Sequence, residues 1–369
     1  MSREPYEVRA LVPNMPTLDK IERYFRRIDE TKWYSNFGPL NSELIKRFSE
    51  YFSLDENMLC TISNATVGLQ AVLSNIELDL NERVELPSFT FSASASAVIL
   101  ANRSLSFLDI DNEMRCIPRR HAKILLDVLP FGDEPRFLAM NDSYSFHLID
   151  GAASFDALHL VGNNPLMNEK VAIVVSLHST KLIGGGEGGL ILSKNTELIG
   201  KIKKWQNFGF DISNSNTRTS LVLGTNAKMS EYSCAVALAS MDSWSESRCL
   251  YKEISHRALS ISKELNLQVH PAMKKGFITP NWIVLPQFDY HSNRMVEEFT
   301  EAKIETRKWW NLGCHNMPAF KHLASDSLEN TNLIAKRYLG LPFHLFLEND
   351  YWDKVDEILR SCLSYENND

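Results

Sequence analysis

Residues 171–193, VAIVVSLHSTKLIGGGEGGLILS, combine two apolar runs with a single lysine and a glycine-rich turn. The runs 171–177 and 190–193 have the length and composition of buried strands. Lys181 therefore lies at the end of a predicted buried strand, where loss of hydration lowers the pKa of an amine and makes it a nucleophile toward a carbonyl. The alternative interpretation is a glycine hairpin whose lysine extends its amine into solvent.

Strand and helix patterns alternate on both sides of this stretch. Further strands are predicted from short apolar runs at 83–86, 105–108, 124–129, 146–149, 267–270, 281–288 and 337–341. Helices are predicted from apolar residues at helical spacing over 42–52, 66–76, 230–243, 248–265 and 350–363. Strands that alternate with helices indicate an α/β fold with a mostly parallel sheet between layers of helices.

The chain is expected to divide into two domains of unequal size. Residues 1–40 contain four prolines and are expected to form an arm that leads into the body of the protein. The alternating pattern changes near Trp244. We therefore assign residues 1–244 to the arm and a large domain, and residues 245–369 to a smaller α+β domain.

Composition and charge exclude several classes of protein. Of the 369 residues, 44% are hydrophobic and 23% are charged, as in ordinary globular domains. The net charge of -7 argues against a nucleic-acid partner, which needs a basic face, and no apolar run has the length of a membrane span. The first residues contain no apolar signal-peptide core, so we expect a cytoplasmic protein. The six scattered cysteines are expected to be free thiols.

Two further segments indicate a ligand site, although the sequence contains no dinucleotide fingerprint, Walker loop, nucleophile elbow or metal-binding cluster. Asp150 follows the apolar run 146–149, and a carboxylate at the end of a parallel strand faces the crevice where ligands bind. Residues 61–66, TISNAT, precede a helix whose first backbone N–H groups are available to a phosphate. The alternative role for each segment is an ordinary helix cap.

The sequence resembles the fold type I enzymes that use pyridoxal phosphate. The resemblance lies in the order of a phosphate-binding helix N-terminus, an aromatic residue, a carboxylate and a lysine. From Asn36 to the helix after His344, the sequence resembles the DegT/DnrJ/EryC/StrS family of nucleotide-sugar aminotransferases. The resemblance is carried by the blocks PSFTFSASA (87–95), SLHSTKLIGGGEGG (176–189), NFG (207–209), GTNAKMSE (224–231) and HNMPAF (315–320). It implies a large domain with a mostly parallel seven-stranded sheet, flanked by helices, and a smaller α+β C-terminal domain.

The resemblance assigns the catalytic roles. Lys181 matches the family's lysine that binds pyridoxal phosphate covalently and, once freed, moves a proton between substrate and cofactor. Asp150 matches the aspartate that keeps the pyridine nitrogen protonated, so that the ring accepts electrons from the substrate. No metal is implied.

The resemblance also assigns residues that bind the cofactor and the substrate. Phe91 matches the aromatic residue that stacks on the cofactor ring, with a buried core role as the alternative. The phosphate is implied to bind Ala65, Thr66 and Ser176, and also Asn226 of a neighbouring subunit, which implies a homodimer. Candidate substrate contacts are His178, His315 and Lys228. Trp309 and Trp310 are expected in the core or at an interface, and the alternative is that one of them lines the nucleotide pocket.

Three positions depart from the family pattern. Asn64-Ala65-Thr66 replaces the common Ser-Gly-Thr, so the backbone at Ala65 must avoid positive φ. Ala153 replaces a Gln or His that contacts the phenolic oxygen of the cofactor, a contact that Asn207, His178 or water must then supply. Lys228 stands where arginine is usual and loses the bidentate fork of that side chain.

The resemblance implies an aminotransferase that takes an amino group from L-glutamate and gives it to a nucleotide-linked keto-6-deoxysugar. The best candidate acceptor is dTDP-4-keto-6-deoxyglucose, giving dTDP-4-amino-4,6-dideoxyglucose for a surface polysaccharide such as O-antigen or for a glycosylated natural product. A 3-keto or GDP-linked sugar is a further alternative. A sugar dehydratase of the same fold is disfavoured by Lys181, and a cofactor-binding regulator without turnover is disfavoured by the presence of both Lys181 and Asp150.

Overall fold

The computed structural model describes residues 6–119, 121–136, 144–211, 218–323, 325 and 327–364. A seven-stranded sheet forms the centre, with strands β1 Leu59–Ile62, β2 Val84–Pro87, β3 Leu105–Leu108, β4 Ile124–Val128, β5 Phe146–Asp150, β6 Val171–Ser176 and β7 Gly189–Leu192. Their order is β1-β7-β6-β5-β4-β2-β3, and β7 runs antiparallel to the other six strands. The prediction of a mostly parallel sheet in an α/β fold is confirmed.

Helices cover both faces of this sheet. Within the described residues they are α1 Leu18–Thr31, α2 Pro39–Phe52, α3 Ala65–Asn75, α4 Ser92–Leu100, α5 Thr196–Trp205, α6 Glu231–Asp242, α7 Trp244–Glu264, α8 Pro271–Lys274, α9 Asp289–Glu301, α10 Glu329–Arg337 and α11 Asn349–Leu363. Alternate residues of β6 face opposite layers: Ile173 and Val175 join the core with α2 and α6, and Ala172 and Val174 join the core with α3, α4 and α5. Burial on both faces explains the unbroken apolar sequence of β6.

A second sheet lies in the C-terminal part of the chain. Its strands β8 Gln268–Val269, β9 Trp282–Leu285 and β10 Leu339–Leu341 are antiparallel in the order β10-β9-β8. One continuous apolar core joins Trp282 of this sheet to helices α2 and α6, which pack on the large sheet. A domain boundary between residues 244 and 245 stays a prediction, and the start of α7 at Trp244 is compatible with it.

Several elements were not predicted from the sequence. Helix α1 lies inside the expected arm, where only Tyr24 and Ile28 are buried and most side chains are polar. Helix α4 consists mainly of Ser and Ala, which produce little helical contrast between apolar and polar residues. Strand β1 has only four residues, too few for a clear pattern.

Close packing at Gly189 fixes the start of α3 against the sheet. Gly189 pairs with Ile62 at the end of β1, immediately before the helix. A Cβ at position 189 would lie 2.8 Å from the backbone carbon of Asn64 and 2.9 Å from the backbone nitrogen of Ala65. Because both neighbours are backbone atoms, only glycine lets the first turn of α3 approach β7 this closely.

Gly189→Ala is expected to lower the free energy of unfolding by about 1–3 kcal/mol, because the new methyl group displaces the backbone at the start of α3. Gly200→Ala is the matched control, since Gly200 lies in α5 and a Cβ there meets nothing within 4 Å. This control should be neutral or more stable by about 1 kcal/mol. Urea denaturation of both variants checks the prediction, and equal stability of the two would contradict it.

Candidate active site

A cavity of about 540 Å³ opens at the carboxyl ends of the parallel strands. Its walls come from the segments that follow β2, β4, β5 and β6 and from the first turn of α3. Pro280, Asn281, Trp309 and Trp310 complete it from the C-terminal part of the chain, and Leu11 closes it from the N-terminal arm. This position is the usual ligand site of open α/β sheets.

Asp150, the last residue of β5, is a buried carboxylate in the cavity wall. The Ser94 hydroxyl donates a hydrogen bond to Oδ2 at 2.7 Å, and the Ala152 backbone N–H donates to Oδ1 at 3.1 Å. Burial raises the pKa of Asp150, while these two donors and the charge of Lys181 act to lower it. The pKa of Asp150 is raised overall, because the loss of hydration outweighs these three contacts.

Lys181 lies in the turn between β6 and β7 and lines the same cavity. Its backbone N–H donates to the His178 carbonyl at 2.9 Å, and Ser179 and Gly186 close the turn with a second bond of 2.9 Å. Burial lowers the pKa of the Lys181 amine, and the negative charge of Asp150 opposes that shift. A larger fraction of this amine is therefore neutral at neutral pH, and the neutral amine is the form that acts as a nucleophile or accepts a proton.

The first turn of α3 presents backbone donors to the cavity. The Asn64 side chain caps the helix by accepting from the Val67 N–H at 2.9 Å, and the Gly68 N–H donates to the Asn64 carbonyl at 3.0 Å. The amides of Ala65 and Thr66 lie ahead of these bonds and have no acceptor among the described residues. Ala65 has helical backbone, so its substitution for glycine leaves this turn intact. Such amides, at the positive end of a helix, suit an anion.

Ser176 and Phe91 also line the cavity, as the sequence predicted. Ser176, at the end of β6, accepts a 3.2 Å hydrogen bond at Oγ from the His178 N–H. Phe91 precedes α4 and is 59% exposed, so a buried core role for this ring is wrong. An aromatic face at the cavity wall is available for stacking on a planar ring.

Both tryptophans line the cavity, although the sequence left their place open between core and pocket. The Trp310 ring stacks on Phe131 with centroids 4.1 Å apart and an interplanar angle of 14°. Phe131 has a φ of 50°, which is rare for a bulky residue. The Arg307 guanidinium lies 5.0 Å from the Trp309 ring centroid. These aromatic groups pack against each other or against a guanidinium and form part of the cavity wall.

Three predicted site residues lie outside the cavity wall of this chain: Asn226, Lys228 and His315. Lys228 Nζ donates to Asn226 Oδ1 at 2.7 Å and lies 4.5 Å from the Phe208 ring centroid. Burial lowers the pKa of Lys228. His315 Nδ1 lies 2.6 Å from the buried Ser88 hydroxyl, so its ring packs behind the segment that carries Phe91.

The substitution at Ala153 leaves a methyl group in the cavity wall. Of the two side chains suggested as replacements for the lost contact, His178 lines the cavity and Asn207 does not. Glu187 and Asn281 also line it and were not singled out from the sequence. Glu187 could have been selected from the sequence, because it lies in the same glycine-rich turn as Lys181. The sequence around Asn281 indicated only a strand.

The N-terminal arm runs from the second sheet to the lysine turn. Glu305 N–H donates to the Val8 carbonyl at 2.8 Å, and Phe343 N–H donates to the Ala10 carbonyl at 3.2 Å. Beyond Leu11, the Met15 sulfur lies against Gly184, where a Cβ would approach it to 2.6 Å. The arm therefore connects the C-terminal part of the chain to the turn that holds the lysine.

Comparison with known proteins identifies the class to which this fold and site belong. Residues 17–127 and 140–360 match the DegT/DnrJ/EryC1/StrS aminotransferase family, and the chain is a member of that family. The expected enzyme class is therefore confirmed, and with it the family's pyridoxal phosphate cofactor.

Individual relatives differ in the nucleotide sugar that their names specify. The chain is 24% identical to dTDP-4-amino-4,6-dideoxy-D-glucose transaminase of Shigella dysenteriae, covering 94% of this chain and 97% of the relative. It is 24% identical to GDP-perosamine synthase of Vibrio cholerae, with coverages of 95% and 98%. It is 30% identical to UDP-4-amino-4,6-dideoxy-N-acetyl-beta-L-altrosamine transaminase of Campylobacter jejuni, with coverages of 77% and 80%.

A solved structure of NtdA from Bacillus subtilis, with bound cofactor PMP, has the same fold. Its TM-score is 0.80 at 18% identity, covering 98% of this chain and 87% of that one. In the described part of the chain, no helix is long and apolar enough to cross a membrane. Nor do three or more His, Cys, Asp or Glu side chains there come together as metal ligands.

The donor set of the cavity fits pyridoxal phosphate. The group needs an amine to bind its aldehyde, a carboxylate for its ring nitrogen and several donors for its phosphate. Lys181, Asp150 and the amides of Ala65 and Thr66 provide these functions in one cavity. The carboxylate is further oriented by Ser94, which sequence reasoning did not select.

The Lys181 amine of the apoprotein is expected to react with trinitrobenzenesulfonate faster at pH 8 than the exposed Lys252, because a lowered pKa leaves more neutral amine. Asp150→Asn removes the charge that opposes this shift, so the Lys181 labelling profile should move to lower pH. Peptide mass spectrometry measures both lysines in one sample. An unchanged or upward-shifted profile in the variant would exclude electrostatic coupling between the two side chains.

Proposed function

We propose that this protein transfers the amino group of L-glutamate to a nucleotide-linked 4-keto-6-deoxysugar. The best candidate acceptor is dTDP-4-keto-6-deoxyglucose, which would give dTDP-4-amino-4,6-dideoxyglucose. The observation that carries the proposal is the presence of Lys181, Asp150 and the α3 amides in one cavity. The name of the Shigella relative supports the choice of sugar, and family membership supports the reaction.

In this proposal the cofactor supplies an electron sink, and the side chains of this chain move and hold protons. With the cofactor bound, Lys181 Nζ would hold and move the proton lost by the substrate carbon, since its lowered pKa leaves more of the amine neutral. Asp150 would keep the proton on the ring nitrogen of the cofactor. Ala65, Thr66 and Ser176 would bind its phosphate, and Phe91 would orient its ring by stacking.

The nucleotide and the sugar carbon define the alternatives. The relatives named for GDP and UDP sugars support a GDP-linked or other 4-keto acceptor with similar weight. A 3-keto acceptor is the remaining alternative for the same reaction. We further propose that the enzyme works in the cytoplasm and serves the synthesis of a surface polysaccharide such as O-antigen.

We also propose a homodimer in which each active site uses residues of both subunits. Lys181 is the only Lys or Arg among the described residues that line the cavity, so a diphosphate there would lack a dedicated cationic partner. Asn226 and Lys228 lie outside the cavity of their own chain and are accessible. Placed against a second copy, they supply an amide for the phosphate and a cation for the substrate. His315 is retained as a further candidate substrate contact.

The purified enzyme with pyridoxal phosphate is expected to show the long-wavelength absorption of lysine-bound cofactor, and L-glutamate should convert it to the shorter-wavelength amine form. Lys181→Ala should abolish both the lysine-bound band and turnover. Nucleotide keto sugars added to the amine form should restore the original band, and the most efficient one identifies the acceptor. If the band forms but glutamate leaves it unchanged, the proposed donor or reaction is wrong.

The shared site predicts complementation between two defective variants. Lys181→Ala removes the catalytic amine, and Asn226→Asp places a negative charge beside the partner's phosphate. Random mixing of the refolded variants should restore up to about 25% of wild-type activity, because half of the dimers then contain one intact site of two. Each variant mixed only with itself is the control. No recovery in dimers that have exchanged subunits would show that each chain completes its own site.

A further inference from the structure

The orientation of the His178 ring is set by its neighbour Thr180. His178 Nδ1 lies 2.8 Å from the Thr180 hydroxyl and accepts from the Thr180 backbone N–H at 3.3 Å. A backbone N–H only donates, so Nδ1 is the acceptor nitrogen of the neutral ring and Nε2 carries the proton. Neutral His178 is therefore a hydrogen-bond donor at Nε2.

This Nε2 donor is not engaged by the nearest carboxylate. Glu187 Oε1 lies 3.7 Å from Nε2, beyond hydrogen-bond distance, and its side chain is 66% exposed. The His178 side chain is 42% exposed and lines the cavity together with Lys181. The carbonyl of His178 also accepts from the Lys181 N–H, so one hydrogen-bonded turn carries both side chains.

We propose that His178 is the donor that binds the carbonyl oxygen of the keto substrate while its carbon reacts with an amine. This inference rests on the proposed aminotransferase function. When the amine nitrogen attacks, a C–N bond forms and the electron pair of the C=O double bond moves to oxygen. His178 Nε2–H stabilises the charge that develops on that oxygen. The oxygen then leaves as water with the two protons that the amine nitrogen loses.

The same donor serves both substrates, because release of 2-oxoglutarate is the reverse of the step by which the keto sugar enters. His178 keeps its own proton throughout, since Nδ1 accepts from a backbone donor and the neutral ring has no second proton to exchange. Proton transfer at carbon belongs to Lys181. The two side chains of one turn thus act on different atoms, Lys181 at the carbon and His178 at the oxygen.

Two substitutions of His178 by amide side chains distinguish the loss of its hydrogen-bond donor from the loss of its ring. His178→Gln places an N–H donor close to the position of Nε2, and His178→Asn places one close to the position of Nδ1. His178→Asn is expected to slow release of 2-oxoglutarate and consumption of the keto sugar by about 100-fold, whereas His178→Gln should stay within about 10-fold of wild type.

Exchange of the glutamate Cα proton in deuterium oxide distinguishes this role from a general defect, because exchange needs Lys181 but no bond to oxygen. Exchange in both His178 variants should match the wild-type rate within about 3-fold. The pH titration of the lysine-bound absorption band should also be unchanged.

Three outcomes would overturn the inference. Equal slowing by Gln and Asn would mean that the ring itself is needed, and a parallel loss of proton exchange would mean that the turn is disturbed. A shifted pH titration of the absorption band would mean that His178 donates its hydrogen bond to the cofactor and not to the substrate oxygen. Failure of the proposed function is a separate result, since wild-type enzyme would then show no glutamate exchange at all.

Discussion

The burial of two ionisable side chains, the Lys181 amine and the Asp150 carboxylate, in one cavity is the constraint on which the rest of the structure depends. Each group alone would lose hydration at a considerable cost in free energy. Their opposite charges, the Ser94 hydroxyl and the Ala152 amide offset part of that cost. The remainder raises the pKa of the Asp150 carboxyl and lowers the pKa of the Lys181 amine, and the second shift leaves more of that amine neutral and reactive.

One strand of the central sheet runs against the others. The turn that carries Lys181 returns the chain beside β6, so β7 runs antiparallel in an otherwise parallel sheet. Gly189 in β7 then touches the first turn of α3, where the free amides lie. The single short strand β7 therefore links the turn that carries Lys181 to the free backbone amides of α3.

The sequence predicted the part of the site that lies where strands end. Lys181 and Asp150 each follow a short apolar run, and local patterns locate such positions well, whereas Ser176 was selected only through the family resemblance. Leu11 and Asn281 enter the cavity from distant segments, and no local pattern reports a contact made across the fold. The same holds for helix α4, whose small residues pack closely but give no periodic signal. The roles assigned to all these site residues stay predictions, and those of Asn226, Lys228 and His315 also require surfaces outside this cavity.

The N-terminal arm is bound by segments of the chain that are synthesised long after it. Residues 7–10 are made before the central sheet, yet their hydrogen-bond partners lie at 303–305 and 343–344. A chain emerging from the ribosome amino end first therefore completes its central sheet long before the arm has anything to hold. Leu11 and Met15 are held by the arm only after those later segments have been made. The side of the active-site mouth that the arm forms is therefore completed after the turn that carries Lys181 has been synthesised.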